Sequence, residues 1–445
     1  MDEFKNQQAV SFRDKKVLIL GLGLNQGGVG AAKFFAKHGA QVLVTDLKSE
    51  KELEPSLKQL KGFENIEYHL GGHNYDDIDW ADLIIRNPAL RPDNPYRLAA
   101  QASLKRVELD MGVFLDHVDK KQVIAVTGTK GKSTTSSLIF EALKANGKKV
   151  IHAGNIGKSV LDFIDEIDRD TFVVLEVSSF QLEAFDKHSF APKWAVITNI
   201  FPDHLNYYKS LEEYVASKKL IAKYQTKEDK LFLLKDDPVT NHPSFLDRIT
   251  SQIILFSKTN LPKDFHPLLI GEHNLNNIAA AFSIAQDLGL DLDKSLHAFK
   301  NFKGVEFRIQ LIKTWQGVKI YNDTTATMPE AAIESLKSLP NCILICGGMN
   351  KGLDYKNFAK AIEKYAKLVY FIEGDATDEI IKHVKNKSKI LGIGNNLKQV
   401  VHFVTKHATT GDVILFSPGA TSFNFWQNEF DRGRKFNLAV EEVFK

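Results

Sequence analysis

The chain predicts three α/β domains in series, the middle one built on a parallel sheet, and three observations carry that prediction. Strand-like apolar runs alternate with helix-like stretches from Lys15 almost to the C-terminus. Two of these runs break at glycine-rich turns that open helices, GLGLNQGGVG from Gly21 to Gly30 and GTKGKST from Gly128 to Thr134. The length of 445 residues gives room for about three domains of roughly 150 residues, each able to bury a core.

The first element is KKVLILGLG, Lys15 to Gly23, followed by helix-like GAAKFFAKHGA and then QVLVTD; strand, glycine turn, helix and strand make a βαβ unit. ADLIIRNPAL adds a strand that Asn87 and Pro88 end, and this first domain is assigned residues 1–109. A second βαβ unit starts at KQVIAVTGTKGKSTTSSLIFEALKANGKKVIHAGNIG, and TFVVLEVSS, KWAVITNI and KLFLL supply further strands. That alternation predicts a parallel sheet over residues 110–304. GEHNLNNIAAAFSIAQDLGL reads as a helix with asparagines in its first turn, and NFKGVEFRIQ reads as an exit segment. In residues 305–445, GVKIYNDTTAT, NCILICGGMN, AKLVYFIEG and GDVILFSPGA read as strands, with PEAAIESLKSL and YKNFAKAIEKYA as helices between them. No tandem repeat or low-complexity tract interrupts the series.

Composition excludes several classes. Apolar residues make up 43% and charged residues 25%, proportions of a folded globular protein. Lys+Arg 58 against Asp+Glu 55 gives a formal charge of +3 with the signs interleaved, so no basic tract is available to neutralise a nucleic-acid backbone. The two cysteines, Cys342 and Cys346, lie four residues apart in one strand, about 13 Å at roughly 3.3 Å per residue, beyond disulfide reach. Both are expected as reduced core residues. The start MDEFKNQQAVSF lacks a basic segment followed by an apolar one, and no apolar run approaches the roughly 20 residues of a membrane span. A cytoplasmic protein without membrane or nucleic-acid partners is the expectation.

GTKGKST follows the strand VIAVT and opens a helix, so successive backbone N–H groups face an anion and Lys132 adds a point charge. In that arrangement Lys132 contacts the β- and γ-phosphates of ATP, and the hydroxyl of Ser133 or Thr134 holds Mg²⁺. The spacing departs from G-x-x-x-x-G-K-[ST], because Val126 stands five before Gly131. The glycine turn around Gly23, with Asp46 ending the next strand, is similar to a dinucleotide fingerprint, yet three residues separate Gly23 from Gly27. NAD, a UDP group or any phosphate ligand could use it. Glu176 in LEVSSFQL, and Asp203 with His204 in TNIFPDHLNYY, follow strands of the middle domain. In a parallel sheet they face the crevice of the phosphate loop, which makes Glu176 and His204 candidate Mg²⁺ ligands. Lys218, on the helix EYVASKK, reads by itself as an exposed helical lysine.

Taken together, GTKGKSTT, GNIG, LEVSSFQL, TNIFPDHLNYY with YVASK, GEHNLNNIAAA, YNDTTAT, GGMNKGLDY and SPGATSFNFWQNEFDRG resemble the motifs of the Mur ligase family in the family's order, over nearly the whole chain. The SSFQL, GGMNKGLDY and SPGATSF…RG stretches resemble its MurD type. The resemblance implies an N-terminal Rossmann-like domain for a UDP group, a central P-loop ATPase domain and a C-terminal Rossmann-like domain that brings in an amino acid. It implies ATP-dependent addition of D-glutamate to UDP-N-acetylmuramoyl-L-alanine through an acyl phosphate, in peptidoglycan precursor synthesis, with two Mg²⁺ ions and a monomeric enzyme.

Carried onto this sequence, the resemblance gives ATP the loop Gly128, Thr129, Lys130, Gly131, Lys132, Ser133 and Thr134, with Asn277, Arg308 and Asp323. Lys132, His204 and Lys218 become catalytic; Ser133 with Glu176 holds one Mg²⁺, and His204 with a carbamylated Lys218 serves the second. Gly23 and Asp46 fall to the uridine side, Asn155, Ser178 and Gln181 to the muramoyl group, and Thr327, Lys351, Ser422 and Phe430 to the glutamate. The chain departs from the family pattern in places. Asp323-Thr324-Thr325 lacks a lysine usual there, Phe307 replaces a histidine, Asn87-Pro88-Ala89 replaces S-P-G, LDMGVF replaces G-x-I-E-L-F, and Glu429 stands beside Phe430 where an aromatic is expected. A related ligase for another amino acid such as L-glutamate or another acceptor, an NAD-dependent oxidoreductase and a regulatory nucleotide-binding protein are the alternatives.

Overall fold

The computed structural model describes residues 11–24, 26–156, 159–204, 207–350, 352–422, 425–426 and 428–444. It forms two compact units, Met1–Phe265 with His273–Phe299, and His266–Glu272 with Lys300–Lys445.

The first unit holds two sheets. Strands β1 (Lys16–Leu20), β2 (Gln41–Asp46), β3 (Ile66–Leu70), β4 (Leu83–Arg86) and β5 (Arg106–Glu108) pair in parallel in the order β3-β2-β1-β4-β5. The order reverses between β1 and β4, where Leu20 lies opposite Arg86. Strands β6 (Val123–Thr127), β7 (Val150–Gly154), β8 (Phe172–Glu176), β9 (Trp194–Ile197), β10 (Lys230–Leu234) and β11 (Gln252–Phe256) form a second parallel sheet, β11-β10-β9-β6-β8-β7. Its central strand VIAVT is buried at every position, as a parallel strand covered on both faces must be. One apolar cluster runs from Val17, Ile19 and Phe35 through Met111 and Phe114 to Val123, Leu175 and Ile197, so the two sheets share a core. The helix Asp110–Leu115, buried along its whole length, lies in that shared core.

The second unit contains β12 (Gln310–Trp315), β13 (Val318–Asn322), β14 (Cys342–Gly347), β15 (Ala366–Ile372), β16 (Ile390–Gly394) and β17 (Val413–Phe416), ordered β12-β13-β17-β14-β15-β16. Alternate residues of β14 feed opposite faces: Cys342, Leu344 and Cys346 enter one apolar cluster, Ile343 and Ile345 the other. Both cysteines are free and buried, and burial pushes the Cys342 thiol up to about 12.

This sheet is mixed, because β12 pairs antiparallel with β13. The strand begins at Gln310, the last residue of the expected exit segment, and runs through residues 311–315, which the sequence reading assigns to no element. Its turn is Gln316-Gly317, with φ of 46° and 80°, and two consecutive left-handed residues match the twist of a two-residue hairpin.

Candidate active site

The phosphate loop leaves β6 at Thr127 and enters the helix Lys132–Ala145. Two glycines are required by its path. Gly128 has φ +146° and a Cβ there would sit 1.9 Å from Thr198 Oγ1; Gly131 has φ +85° and a Cβ would sit 2.3 Å from Asn277 Oδ1. The loop is tied to the segment after β9, since Thr129 N donates to Asn199 O at 2.9 Å and Lys130 N to Asn199 Oδ1 at 2.9 Å. Lys132 folds back so that its Nζ donates to the carbonyls of Gly128 and Thr129, both at 3.0 Å. Ser133 and Thr134 occupy the first turn, whose N–H groups have no intrahelical acceptor and carry the positive end of the helix dipole.

Three further expected residues lie on the segments around this loop, and one of them, Lys218, bonds to it. Glu176, at the end of β8, lies opposite Val126 in the sheet and is 1% exposed. Its Oε1 accepts from Asn155 Nδ2 at 3.1 Å, while Oε2 is buried without a hydrogen-bond partner among the described residues. Lys218, near the end of the helix Leu211–Lys219, is also 1% exposed and donates from Nζ to Gly128 O at 2.8 Å. Burial first, then the charge of Lys132, pulls its ammonium down to about 7, against an opposing contribution from Asp203. His204 holds a left-handed φ of 54° and accepts burial that lowers its imidazole from the ordinary value, with Asp203 pulling the other way. Tyr214 lies between them, its ring 6.1 Å from that of His204 and 4.8 Å from Lys218 Nζ, and its hydroxyl 3.2 Å from Thr129 Oγ1. Asp203 carries a 3.8 Å ion pair with Lys130.

Around this centre, Asn277 sits against Gly131, and its Nδ2 donates to Asn274 Oδ1 at 2.9 Å. Ser178 donates from both N and Oγ to Gln181 Oε1, at 3.1 and 3.0 Å, which fixes the turn after β8. At the edge of the first sheet, Gly23 N donates to Asp46 Oδ2 at 2.8 Å and Lys48 N to Asp46 Oδ1 at 2.9 Å. Gly23 and Asp46 thus meet, and both carboxylate oxygens are engaged by backbone.

The second unit carries the remaining expected residues. Asp323 is fully enclosed: Oδ1 accepts from Ile309 N at 3.1 Å, and Oδ2 from Ser335 and Ser417 at 2.6 and 2.7 Å. Burial pushes its carboxyl up to about 6. Arg308 lies between two left-handed residues, Phe307 and Ile309. Thr327 N donates to Thr325 O at 2.9 Å. Ser422 is 1% exposed, with its Oγ unpartnered among the described residues. Phe430 is partly exposed, its ring 6.2 Å from Phe307. Lys351 lies outside the described residues.

Sequence reasoning passed over Asn199, Tyr214 and Arg432. Asn199 was visible within TNIFPDHLNYY, at the end of a strand. Arg432 is wholly buried, donating from Nε to Thr324 Oγ1 at 2.9 Å, from Nη2 to Thr324 O at 2.8 Å and from Nη1 to Ala420 O at 3.1 Å. Its only signal was its place in the last motif.

Comparison with known proteins agrees with this architecture. Residues 15–108 match the Mur ligase MurD-like N-terminal domain, residues 126–268 the Mur ligase middle domain, and residues 307–419 the Mur ligase glutamate ligase domain. The UDP-N-acetylmuramoylalanine--D-glutamate ligase of Borreliella afzelii (strain PKo) is 38% identical over 465 residues, covering 99% of each chain. Among solved structures, UDP-N-acetylmuramate-alanine ligase MurC from Thermotoga maritima shares the fold at TM-score 0.60 and 22% identity, over 96% of this chain and 99% of that one. MurF ligase from Thermotoga maritima in complex with ADP does so at TM-score 0.55 and 18% identity, over 97% and 95%. With all three domains matched in order and a relative 38% identical over 99% of both chains, the chain belongs to the Mur ligase family.

Proposed function

We propose that this protein joins D-glutamate to UDP-N-acetylmuramoyl-L-alanine, cleaving ATP to ADP and phosphate, as a step of peptidoglycan precursor synthesis in the cytoplasm. The observation that carries the reading is that Lys132 and Lys218 both donate to Gly128 O in one glycine loop, with His204 feeling the charge of both and the orphaned oxygen of Glu176 on the strand beside the one that leads into the loop. It stands in a chain aligned over 99% of its length with a relative of that name. Among the described residues no helix is long and apolar enough to cross a membrane. The division of labour follows the expected domains, with residues 1–109 taking the UDP group, 110–304 ATP and 305–445 the amino acid.

In the first step an oxygen of the substrate carboxylate attacks the γ-phosphorus of ATP. The bond to the β,γ-bridging oxygen breaks, and an acyl phosphate and ADP result. The free amine of D-glutamate then attacks the acyl carbon, phosphate departs with the bonding pair, and the ammonium proton is lost to leave an amide. Lys132 balances charge on the transferring phosphoryl group, and the first-turn N–H groups of Ser133 and Thr134 orient it. Thr327, Lys351, Ser422 and Phe430 are proposed to receive the amino acid.

Mg²⁺ fits the first unit, because the buried Oε2 of Glu176 is a carboxylate oxygen in want of a partner. Ser133 and Glu176 would hold one ion, and His204 with Lys218 a second. When bound, such ions offset the charge between anionic reactants. Among the described residues no group of three or more His, Cys, Asp or Glu could hold a metal ion. Ligation would therefore draw on the serine hydroxyl, phosphate oxygens and a carbamate on Lys218. As an ammonium Lys218 donates to Gly128 O and cannot ligate a cation; a pKa near 7 leaves a share of free amine, the form that adds CO₂.

The test is phosphate release by the purified protein with ATP, Mg²⁺ and UDP-N-acetylmuramoyl-L-alanine across a panel of amino acids. Release with D-glutamate alone is expected. Release with L-glutamate or another amino acid would favour a variant ligase, and none with any acceptor would overturn the reading.

A further inference from the structure

A charged cluster outside the phosphate loop remains unassigned. Arg86 ends β4, and Arg97 lies on the helix Pro95–Ala102 of the first sheet; both are 7% exposed. Both reach across to one carboxylate, Glu183, on the helix Leu182–Lys187 that follows β8. Arg86 Nη2 donates to Glu183 Oε2, and Arg97 Nη2 donates to the same oxygen at 2.9 Å. Tyr207 completes the cluster, its hydroxyl accepting from Arg97 Nη1 at 3.3 Å and donating to Glu183 Oε1 at 3.4 Å.

The position of Glu183 matters more than its partners. It follows by two residues the Ser178–Gln181 turn, which Gln181 Oε1 closes. Tyr207 is bound to the His204 loop, donating from N to His204 O at 2.8 Å, and its ring packs 4.5 Å from Phe180 within the same turn. The cluster therefore ties three segments together: the edge of the first sheet where its strand order reverses, the turn after β8, and the loop after β9. Two cations share one anion, and Arg86 Nη1 and Arg97 Nε have no partner among the described residues. Replacing the one carboxylate therefore loosens both arginines at once, and with them the tie between the two sheets.

A UDP-linked sugar must span both sheets if its nucleotide lies at the first and its muramoyl group at the second; this inference rests on the proposed function. We infer that Arg86, with Arg97, is a positioning residue for the UDP-linked substrate, acting through Glu183 on the Ser178–Gln181 turn.

Steady-state kinetics of Arg86→Met, Arg86→Lys and Glu183→Gln test this, each KM being measured separately. For Arg86→Met the KM for UDP-N-acetylmuramoyl-L-alanine is expected to rise about tenfold, with the KM values for ATP and D-glutamate changed less than about twofold. Arg86→Lys recovers part of the loss. Glu183→Gln moves the same KM in the same direction while keeping the side chain's shape, and adding it to Arg86→Met costs little more. Unchanged KM for the UDP substrate in folded Arg86→Met and Glu183→Gln proteins would overturn the inference. So would parallel changes in all three KM values accompanied by a fall in Tm. A wild-type protein inactive with this acceptor would remove the functional reading itself, and the inference with it.

Discussion

Lys218 donates a 2.8 Å hydrogen bond to the carbonyl of Gly128, linking a helix of the middle sheet to the first residue of the phosphate loop across ninety positions of sequence. A buried lysine on a loop carbonyl does two things: it holds the loop and keeps a nitrogen with a lowered proton affinity beside Lys132. Lys218→Met is expected to lower kcat by about 100-fold or more while the chain stays folded. Circular dichroism and steady-state turnover check the two halves; near-normal turnover would refute the assignment.

Gly131 is placed where a side chain meets both strain and a neighbour. Gly131→Ala is expected to destabilise by about 1–3 kcal/mol and to weaken ATP binding, because Asn277 must shift. Gly147→Ala is the control, since Gly147 has φ +69° but open space around it, and should cost about 1 kcal/mol without touching ATP affinity. Urea unfolding and nucleotide titration separate the two.

Glu176→Gln preserves shape but removes the charge at the buried, unpartnered oxygen. The Mg²⁺ concentration giving half-maximal turnover should rise about tenfold or more. A Mg²⁺ titration of wild type and variant reads this directly, and overlapping curves would exclude Glu176 as a ligand.

Asp323 offers a pH test. Its carboxyl is raised from 3.8 to about 6, so the folded state binds its proton more tightly than the unfolded chain does. The stability this gives is complete below about 3.8 and is lost as pH rises through about 6. Asp323→Asn cannot ionise, so its stability relative to wild type, and with it the difference in Tm, should climb between pH 4 and pH 7, the free energy by about 3 kcal/mol at most. A difference in Tm that does not vary with pH would contradict the burial argument.

Arg432 holds two backbone carbonyls and a hydroxyl in a site with no exposure. Burial lowers its guanidinium to about 9, yet all three contacts need its planar fork. Arg432→Met should cost about 3 kcal/mol by leaving the carbonyls of Thr324 and Ala420 unsatisfied. Arg432→Lys should recover only part of it. Denaturant midpoints of the two variants rank these outcomes.

The comparison between sequence and structure follows the range of the interactions. VIAVT followed by GTKGKST was legible because a buried strand, a glycine turn and a helix start are local patterns. Glu176 was placed by topology, since every parallel strand delivers its C-terminal residue to one edge. By contrast, Lys218 looked like surface lysine until the fold enclosed it. Arg86, Arg97 and Arg432 were equally silent, because an arginine's burial depends on carboxylates and carbonyls far away in the chain. The strand Gln310–Trp315 was missed because its Leu311, Ile312 and Lys313 run through a register shift that breaks alternation.

The bonds from Thr129 and Lys130 to Asn199 have a further consequence for nucleotide capture. Two amides of the loop are already committed to a fixed partner, so the loop need not surrender much chain entropy when a phosphate arrives. Binding energy that a floppy loop would lose to ordering remains for holding the nucleotide. Amide hydrogen exchange at Thr129 and Lys130 should accordingly be slow in the free protein and change little on adding ATP.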